Sequence, residues 1–303
     1  MVQEVFLPFS KYQALGNDFI LLDTRKVKIA KPGELSRILC CRKLGIGADG
    51  LILVSPHPSC AARMIFYNPD GSRAGMCGNG IRCVAKYLFD TGWLKQEKAA
   101  DSTGFCIATD SGPREVSLGP GDIVEANLGT PSFDPASLPA HLAPEEVQDL
   151  RFPDLPLPPG LCLSVGNPHC IFFVRDLKNI PINRFGPRVE CDPRFPSRIN
   201  VEFAEPLDKA RLTCRVWERG AGETSSCGTG AAAVCVAATL RGLVNARATV
   251  CLPGGEIEVR WDRPGPVFIR GPARFVFKGE VPVSRSLLAA LSPPKSQLQS
   301  PTS

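Results

Sequence analysis

The chain has 303 residues, long for a single hydrophobic core, so two domains are expected. Apolar residues at 44% and charged residues at 21% exclude wholesale disorder, and a formal charge of +5 with Lys and Arg scattered among Asp and Glu gives no stripe for nucleic acid. Residues 1–10 lack a basic stretch followed by an apolar core, and the most apolar run, 231–240, is too short for a bilayer, so the expectation is no signal peptide, no membrane segment and a cytoplasmic location.

In chain order, short strand-like runs bounded by turn residues fall at 19–23, 51–54 and 64–67, followed by a helix over 79–89 that closes near Gly92. Residues 127–160 carry Pro131, Pro135, Pro139, Pro144, Pro153, Pro156, Pro158 and Pro159, a density that forbids a long helix or a central strand and marks a connecting or inserted segment. Strands resume at 170–174 and 212–217, a second helix spans 229–240 up to Gly242, and a strand covers 257–261. The second helix is apolar on all sides and is expected to be buried. From about Ser284 the chain is rich in Pro and Gln and poor in large apolar groups, so a mobile tail is expected.

Thirteen cysteines without a secretion signal read mostly as small, reduced, buried residues, with disulfides not the first expectation. No CxxC pair occurs, Cys40 beside Cys41 and Cys77 with Cys83 lack zinc-ligand spacing, and only three histidines are present, so no metal centre is expected.

One offset organises the special positions. Adding 150 carries Gly16-Asn17 to Gly166-Asn167, Asn68 to Glu218, Cys77-Gly78 to Cys227-Gly228, Gly80 to Gly230 and Gly92 to Gly242. A period this long describes two like domains, each presenting a helix that starts beside a Cys-Gly, across a shared cleft. A helix N-terminus carries partial positive charge and free N–H groups, which favour a thiolate and bind a carboxylate. Two thiols on opposite faces of one carbon can act together, one removing a proton and the other supplying one, which inverts the centre. Converging helix ends stabilise the charge that develops.

Each feature also has an ordinary use. A lone cysteine at a helix start is a packing residue; it is the matched flanks that raise Cys77 and Cys227 above that reading. Asn17, Asn68, Asn167 and Asn200 taken singly are turn or cap residues. Glu218-Arg219 taken alone is a solvated ion pair, yet a glycine-bearing loop leads from it into Cys227. His169 after Pro168 is a loop histidine by default. The GIGADG run at 45–50 lacks the lysine of a phosphate loop and the spacing of a dinucleotide fingerprint.

Taken in order, LGNDF at 15–19, GIGADG at 45–50, Asn68 with Asp70-Gly71-Ser72, MCGNG at 76–80, GNPH at 166–169, Asn200-Val201 and ERGAGETSSCGTG at 218–230 resemble the diaminopimelate epimerase family. The resemblance covers about residues 9–280. It implies an α+β fold of two pseudo-symmetric β-barrel-like domains, each around a central helix, with the site in the interdomain cleft. The division it implies is 1–122 with 275–284, then 123–274, leaving 285–303 as tail. The implied activity is cofactor-independent interconversion of LL- and meso-2,6-diaminopimelate, without pyridoxal phosphate, in lysine and peptidoglycan precursor synthesis.

By motif position Cys77 and Cys227 resemble the proton donor and acceptor. Gly78, Asn79, Gly228 and Thr229 correspond to the pocket for the reacting centre's carboxylate. Asn17, Asn68, Asn167, Asn200, Glu218 and Arg219 correspond to the other substrate ligands, with His169 and Glu218 where the family tunes its thiols. The implied partners are diaminopimelate and a second copy in a homodimer. Two positions depart from the family: Gly50 stands where some members carry a substrate-contacting glutamine, and Phe277 where a tyrosine is linked to dimerisation. The competing readings are a proline or 4-hydroxyproline racemase, which typically has histidine where this chain has Asn79, and a silent ligand-binding or thiol-redox protein of the same fold.

Overall fold

The computed structural model describes residues 4–94 and 104–288. Strand β1 (Glu4–Ala14) turns into β2 (Asn17–Asp23) through Leu15 and Gly16, both at positive φ (54° and 82°). The chain then crosses by helix α1 (Pro32–Cys40) to β3 (Gly50–Ser55), which runs parallel to β2, as a crossover connection requires. Strands β4 (Ala62–Tyr67) and β5 (Arg73–Ala74) lead into helix α2 (Gly78–Asp90), and β6 (Phe105–Thr109), β7 (Gly112–Leu118) and β8 (Ile123–Gly129) form a meander.

The same order repeats. β9 (Leu161–Ser164), β10 (Pro168–Phe173), α3 (Ile182–Glu190) and β11 (Asn200–Pro206) reproduce the hairpin and parallel crossover. β12 (Arg211–Glu218), β13 (Gly222–Thr224), α4 (Gly228–Leu240), β14 (Arg247–Leu252), β15 (Gly255–Trp261) and β16 (Val267–Pro272) complete it. The offset of 150 holds for the starts of α1 and α3, of β3 and β11, and of α2 and α4.

Helix α2 packs against β1, β2, β7 and β8, and α4 against β10, β11, β14 and β15, so each half wraps strands around a central helix. This is the expected α+β architecture. The halves are joined because β8 pairs with β16, and because β17 (Arg274–Ser284) returns to lie antiparallel along β1. Ala231 through Ala238 of α4 are fully buried, and their small side chains let strands from several directions approach the helix closely.

The structure corrects several expectations. Helices α1 and α3 were not anticipated, since both are short and α3 contains Pro187. Residues 127–129 belong to β8, a strand paired on both sides; the proline-rich segment proper begins after it. That segment is not a bare connector, because Leu138, Leu142, Val147, Leu150 and Leu155 are buried against Phe172 and Phe203 in a core of their own. Of the expected tail, 289–303 lies outside the described residues, but Arg285–Leu287 form a 3-10 turn whose Leu287 is buried and whose carbonyl accepts from Ala30 N. Finally, Cys60 and Cys106 form a disulfide, where disulfides were not expected, while the other eleven cysteines are free.

Candidate active site

The N-termini of α2 and α4 meet end to end. Cys77 caps α2 and its sulfur accepts from Gly80 N at 3.3 Å; Cys227 caps α4 and accepts from Gly230 N at 3.3 Å. Gly78 and Gly228 make the approach possible. A Cβ on Gly78 would lie 3.3 Å from Gly228 C and Thr229 N, and one on Gly228 would lie 2.9 Å from Asn79 Oδ1, so larger residues would force the helix ends apart. Cys227 is buried and Cys77 half-buried.

Around this junction Asn17, Asn79 and Asn167 form two matching sets. In the first, Asn79 Nδ2 donates to Asn17 Oδ1 (3.1 Å) and across the junction to Ser226 O (3.0 Å). In the second, Asn167 Nδ2 donates to Thr229 Oγ1 (3.2 Å), and Thr229 Oγ1 lies 3.4 Å from the Cys227 sulfur. Asn79 and Thr229 stand 150 residues apart, as do Asn17 and Asn167.

His169 Nε2 lies 3.0 Å from Asn167 Oδ1, while Nδ1 lies 2.7 Å from Glu202 Oε1; both side chains are fully buried. Asn200 donates to Pro168 O (2.9 Å) and accepts from Arg219 N (2.9 Å), which ties the Glu218-Arg219 loop to the β10–β11 register. Glu218 accepts from Thr224 Oγ1 at 2.5 Å, and the Arg219 guanidinium donates to Ser197 O. Asn68 is not drawn into these sets: its amide donates to Ser72 Oγ within its own turn.

Three positioning residues escaped the sequence reading. Asp49 accepts from Asn17 Nδ2 (2.8 Å) and Asp18 N, and Arg42 bridges Asp18 and Asp49, so the GIGADG run serves to fix Asn17. Glu190 on α3 accepts from Trp217 Nε1 (2.7 Å) and Gly220 N (2.8 Å), bracing the loop that carries Glu218 and Arg219. Glu202 is the third. The only signal for Asp49 was its place inside a quoted motif; Glu190 and Glu202 had none.

Burial dominates the electrostatics. It pushes the Cys77 thiol up to about 12, with the Gly80 N–H opposing and the Glu218 charge adding to the rise. Burial raises Cys227 well above its ordinary value, and both Glu218 and Glu202 add to that. Burial likewise lifts the Glu218 carboxyl to about 7, against the Thr224 hydrogen bond. Burial thus favours the neutral thiol at both positions, and the backbone N–H groups at the helix starts oppose it. Among the described residues no cluster of His, Cys, Asp and Glu could hold a metal ion, and no helix is long and apolar enough to cross a membrane.

Two comparisons decide the family. The sequence model of the diaminopimelate epimerase family matches residues 9–133 and 161–276. The diaminopimelate epimerase of Moorella thermoacetica is 43% identical over 282 residues, covering 91% of this chain and 99% of the relative. The chain belongs to the diaminopimelate epimerase family. That of Thermosynechococcus vestitus is 41% identical, with 91% and 99% coverage. The break in the family match, 134–160, falls on the proline-rich segment.

Among solved structures, a probable proline racemase from Agrobacterium radiobacter superposes with a TM-score of 0.70 at 16% identity, covering 93% of this chain and 94% of its own. A PhzF-family phenazine biosynthesis protein from Bacillus anthracis gives 0.65 at 17%, covering 91% and 99%. At such identities the likeness establishes the fold alone, so a proline-type racemase is not favoured over the family assignment. Gly50, the family departure, lies against Phe66: a Cβ there would sit 2.2 Å from that ring, which leaves no room for a glutamine.

Proposed function

We propose that the protein epimerises LL-2,6-diaminopimelate to the meso isomer with two thiols and no cofactor. The observation that carries the reading is the abutment of two cysteine-capped helix N-termini, one from each half. In it the backbone N–H groups beside Gly78-Asn79 and Gly228-Thr229 bind the α-carboxylate of the reacting centre. One sulfur, as thiolate, removes the α-proton from one face, and the other, as thiol, delivers a proton to the opposite face. The negative charge that develops next to the carboxylate is stabilised by the positive ends of α2 and α4. Asn17 and Asn167 hold the substrate's polar groups from the two sides. Asn68, Asn200, Glu218 and Arg219 serve its far amino-acid end, with the Arg219 guanidinium suited to the distal carboxylate as a planar fork.

Glu218 raises both thiols through its charge, and its own near-neutral titration removes that charge as pH falls, while His169 acts on Cys227 through Glu202, to which its Nδ1 is bonded. The working unit is a homodimer built on β17, where Phe275, Val276 and Phe277 are exposed together on a strand whose partner among the described residues is β1. In this reading Phe277 keeps a ring for that contact, edge-on to Phe9 at 5.7 Å, without the family's hydroxyl.

The test is isomer analysis after incubating the protein with LL-diaminopimelate and, separately, with L-proline. Formation of the meso isomer together with unchanged proline is the expected outcome. Conversion of proline with diaminopimelate untouched would replace this reading by the racemase alternative.

A further inference from the structure

We propose that two buried charges of opposite sign, Arg82 behind Cys77 and Glu202 behind Cys227, make the paired thiols inequivalent and mark Cys77 as the one that ionises more readily. The inference rests on the two-thiol reading and deepens it. The offset of 150 places Ala232 opposite Arg82 and Ile52 opposite Glu202, so neither charge has a counterpart in the other half.

The substitution sits in matching geometry. A Cβ on Gly80 would lie 3.1 Å from Ile52 Cδ1 and 3.4 Å from the Cys77 sulfur. On Gly230 it would lie 2.8 Å from Glu202 Oε1 and 3.3 Å from the Cys227 sulfur. The same spot beside each capping thiol is therefore a methyl group in one half and a carboxylate oxygen in the other. Glu202 is fully buried, and its Oε2 has no hydrogen-bond partner among the described residues. Burial raises the Glu202 carboxyl and its contact with His169 opposes that rise; in the ionised form it opposes a second negative charge next to it.

Arg82 is the converse case. It is fully buried in the second turn of α2 and donates to Asn79 Oδ1 (2.5 Å), to Pro272 O on β16 (3.2 Å) and, through Nε, to Gly78 O (3.4 Å). Gly271 makes the space, since a Cβ there would lie 2.5 Å from Arg82 Nη1. No carboxylate pairs with this guanidinium among the described residues. Arginine stays charged when buried, and an uncompensated buried charge is destabilising, so the fold maintains a cation that lacks its anion. The anions that arise nearby are the Cys77 thiolate and the substrate carboxylate held at Asn79.

Arg82 is thus a positioning residue twice over. Its bond to Asn79 Oδ1 turns the amide Nδ2 toward Asn17 and Ser226, and its charge faces the helix end. The groups acting on each thiol differ accordingly. Cys77 meets the Gly80 and Asn79 N–H groups and Arg82, all favouring thiolate, against Glu218 from β12. Cys227 meets Glu218 and Glu202, both opposing thiolate, against the Thr229 hydroxyl and the Gly230 N–H; His169, from β10, faces Glu202. No cation acts on Cys227 directly in that set.

The experiment follows iodoacetamide alkylation of Cys77 and Cys227 separately by mass spectrometry across a pH series, in the substrate-free protein. The pH midpoint for each thiol reports ionisation independently of access. The expected midpoint for Cys77 lies below that for Cys227. Glu202→Gln should lower the Cys227 midpoint by about one pH unit, a roughly tenfold gain in thiolate, while leaving Cys77 in place. Arg82→Gln should raise the Cys77 midpoint by a similar amount, and Arg82→Lys should restore it.

Should Arg82→Gln fail to fold, the Glu202→Gln and Arg82→Lys arms still decide. Overturning results are a lower midpoint for Cys227 in the wild type, or equal movement of both thiols in Glu202→Gln. Alkylation midpoints do not require turnover. Loss of the two-thiol reading, seen as activity surviving removal of a thiol, is therefore distinguishable from loss of this inference.

Discussion

In the first half, the strands behind the cysteine cap present Phe19 and Ile52; in the second, the same positions carry His169 and Glu202. The first half places Arg82 in its central helix where the second has Ala232, and the second helix is apolar from Ala231 through Ala238. Backbone placement is common to both: hairpin, parallel crossover, cysteine cap and glycine junction recur. A duplicated scaffold thereby places a cysteine cap on each side of the junction by symmetry, and the proposed inequivalence of the two thiols comes from side chains outside it. Inversion in both directions requires opposed groups, while an ordered first step requires unequal ones.

Removing either thiol breaks the comparison most severely. Cys77→Ala and Cys227→Ala should each lower steady-state epimerisation by on the order of 10³-fold or more, the scale of a lost acid or base, as read by isomer analysis. Wedging the helix ends apart comes next. Gly228→Ala places a methyl 2.9 Å from Asn79 Oδ1 and should cost about 1–3 kcal/mol in chemical denaturation together with most of the activity.

A smaller effect is expected from the support of one half alone. Asp49→Ala frees Asn17 and should raise KM about tenfold with a lesser change in kcat, consistent with one lost charge-assisted hydrogen bond. The smallest effect concerns Glu218, whose carboxyl is lifted from its ordinary 4.5 to about 7 by burial. A raised folded value favours the protonated fold, so its contribution to stability is full below about pH 4.5 and is lost as pH rises through about 7. Glu218→Gln should flatten the fall in melting temperature across that window in thermal scans of the substrate-free protein.

The features written locally were the readable ones. Helix starts beside Cys-Gly and ends at Gly92 and Gly242 are short-range signals, and the offset of 150 linked them without any three-dimensional information. The residues that support them depend on pairing that no local pattern reveals. Glu202 reaches Cys227 because β10 and β11 run parallel with His169 opposite Asn200, and Asp49 reaches Asn17 because β2 and β3 do the same with Phe19 opposite Gly50. The Cys60–Cys106 bond has the same origin: β4 and β6 align Ala62 with Ile107, bringing distant cysteines side by side. Helix α3 stayed hidden because nine residues containing a proline look like a loop until Phe185 and Val189 find their core.

The distribution of solvent deuterium during the first turnovers tests the two opposed thiols most directly. With LL-diaminopimelate in deuterated water, the early meso product should carry deuterium at the inverted α-carbon while recovered LL substrate still carries hydrogen. Early meso product that retains the original hydrogen would mean that a single group carries the proton from face to face, and would contradict the account.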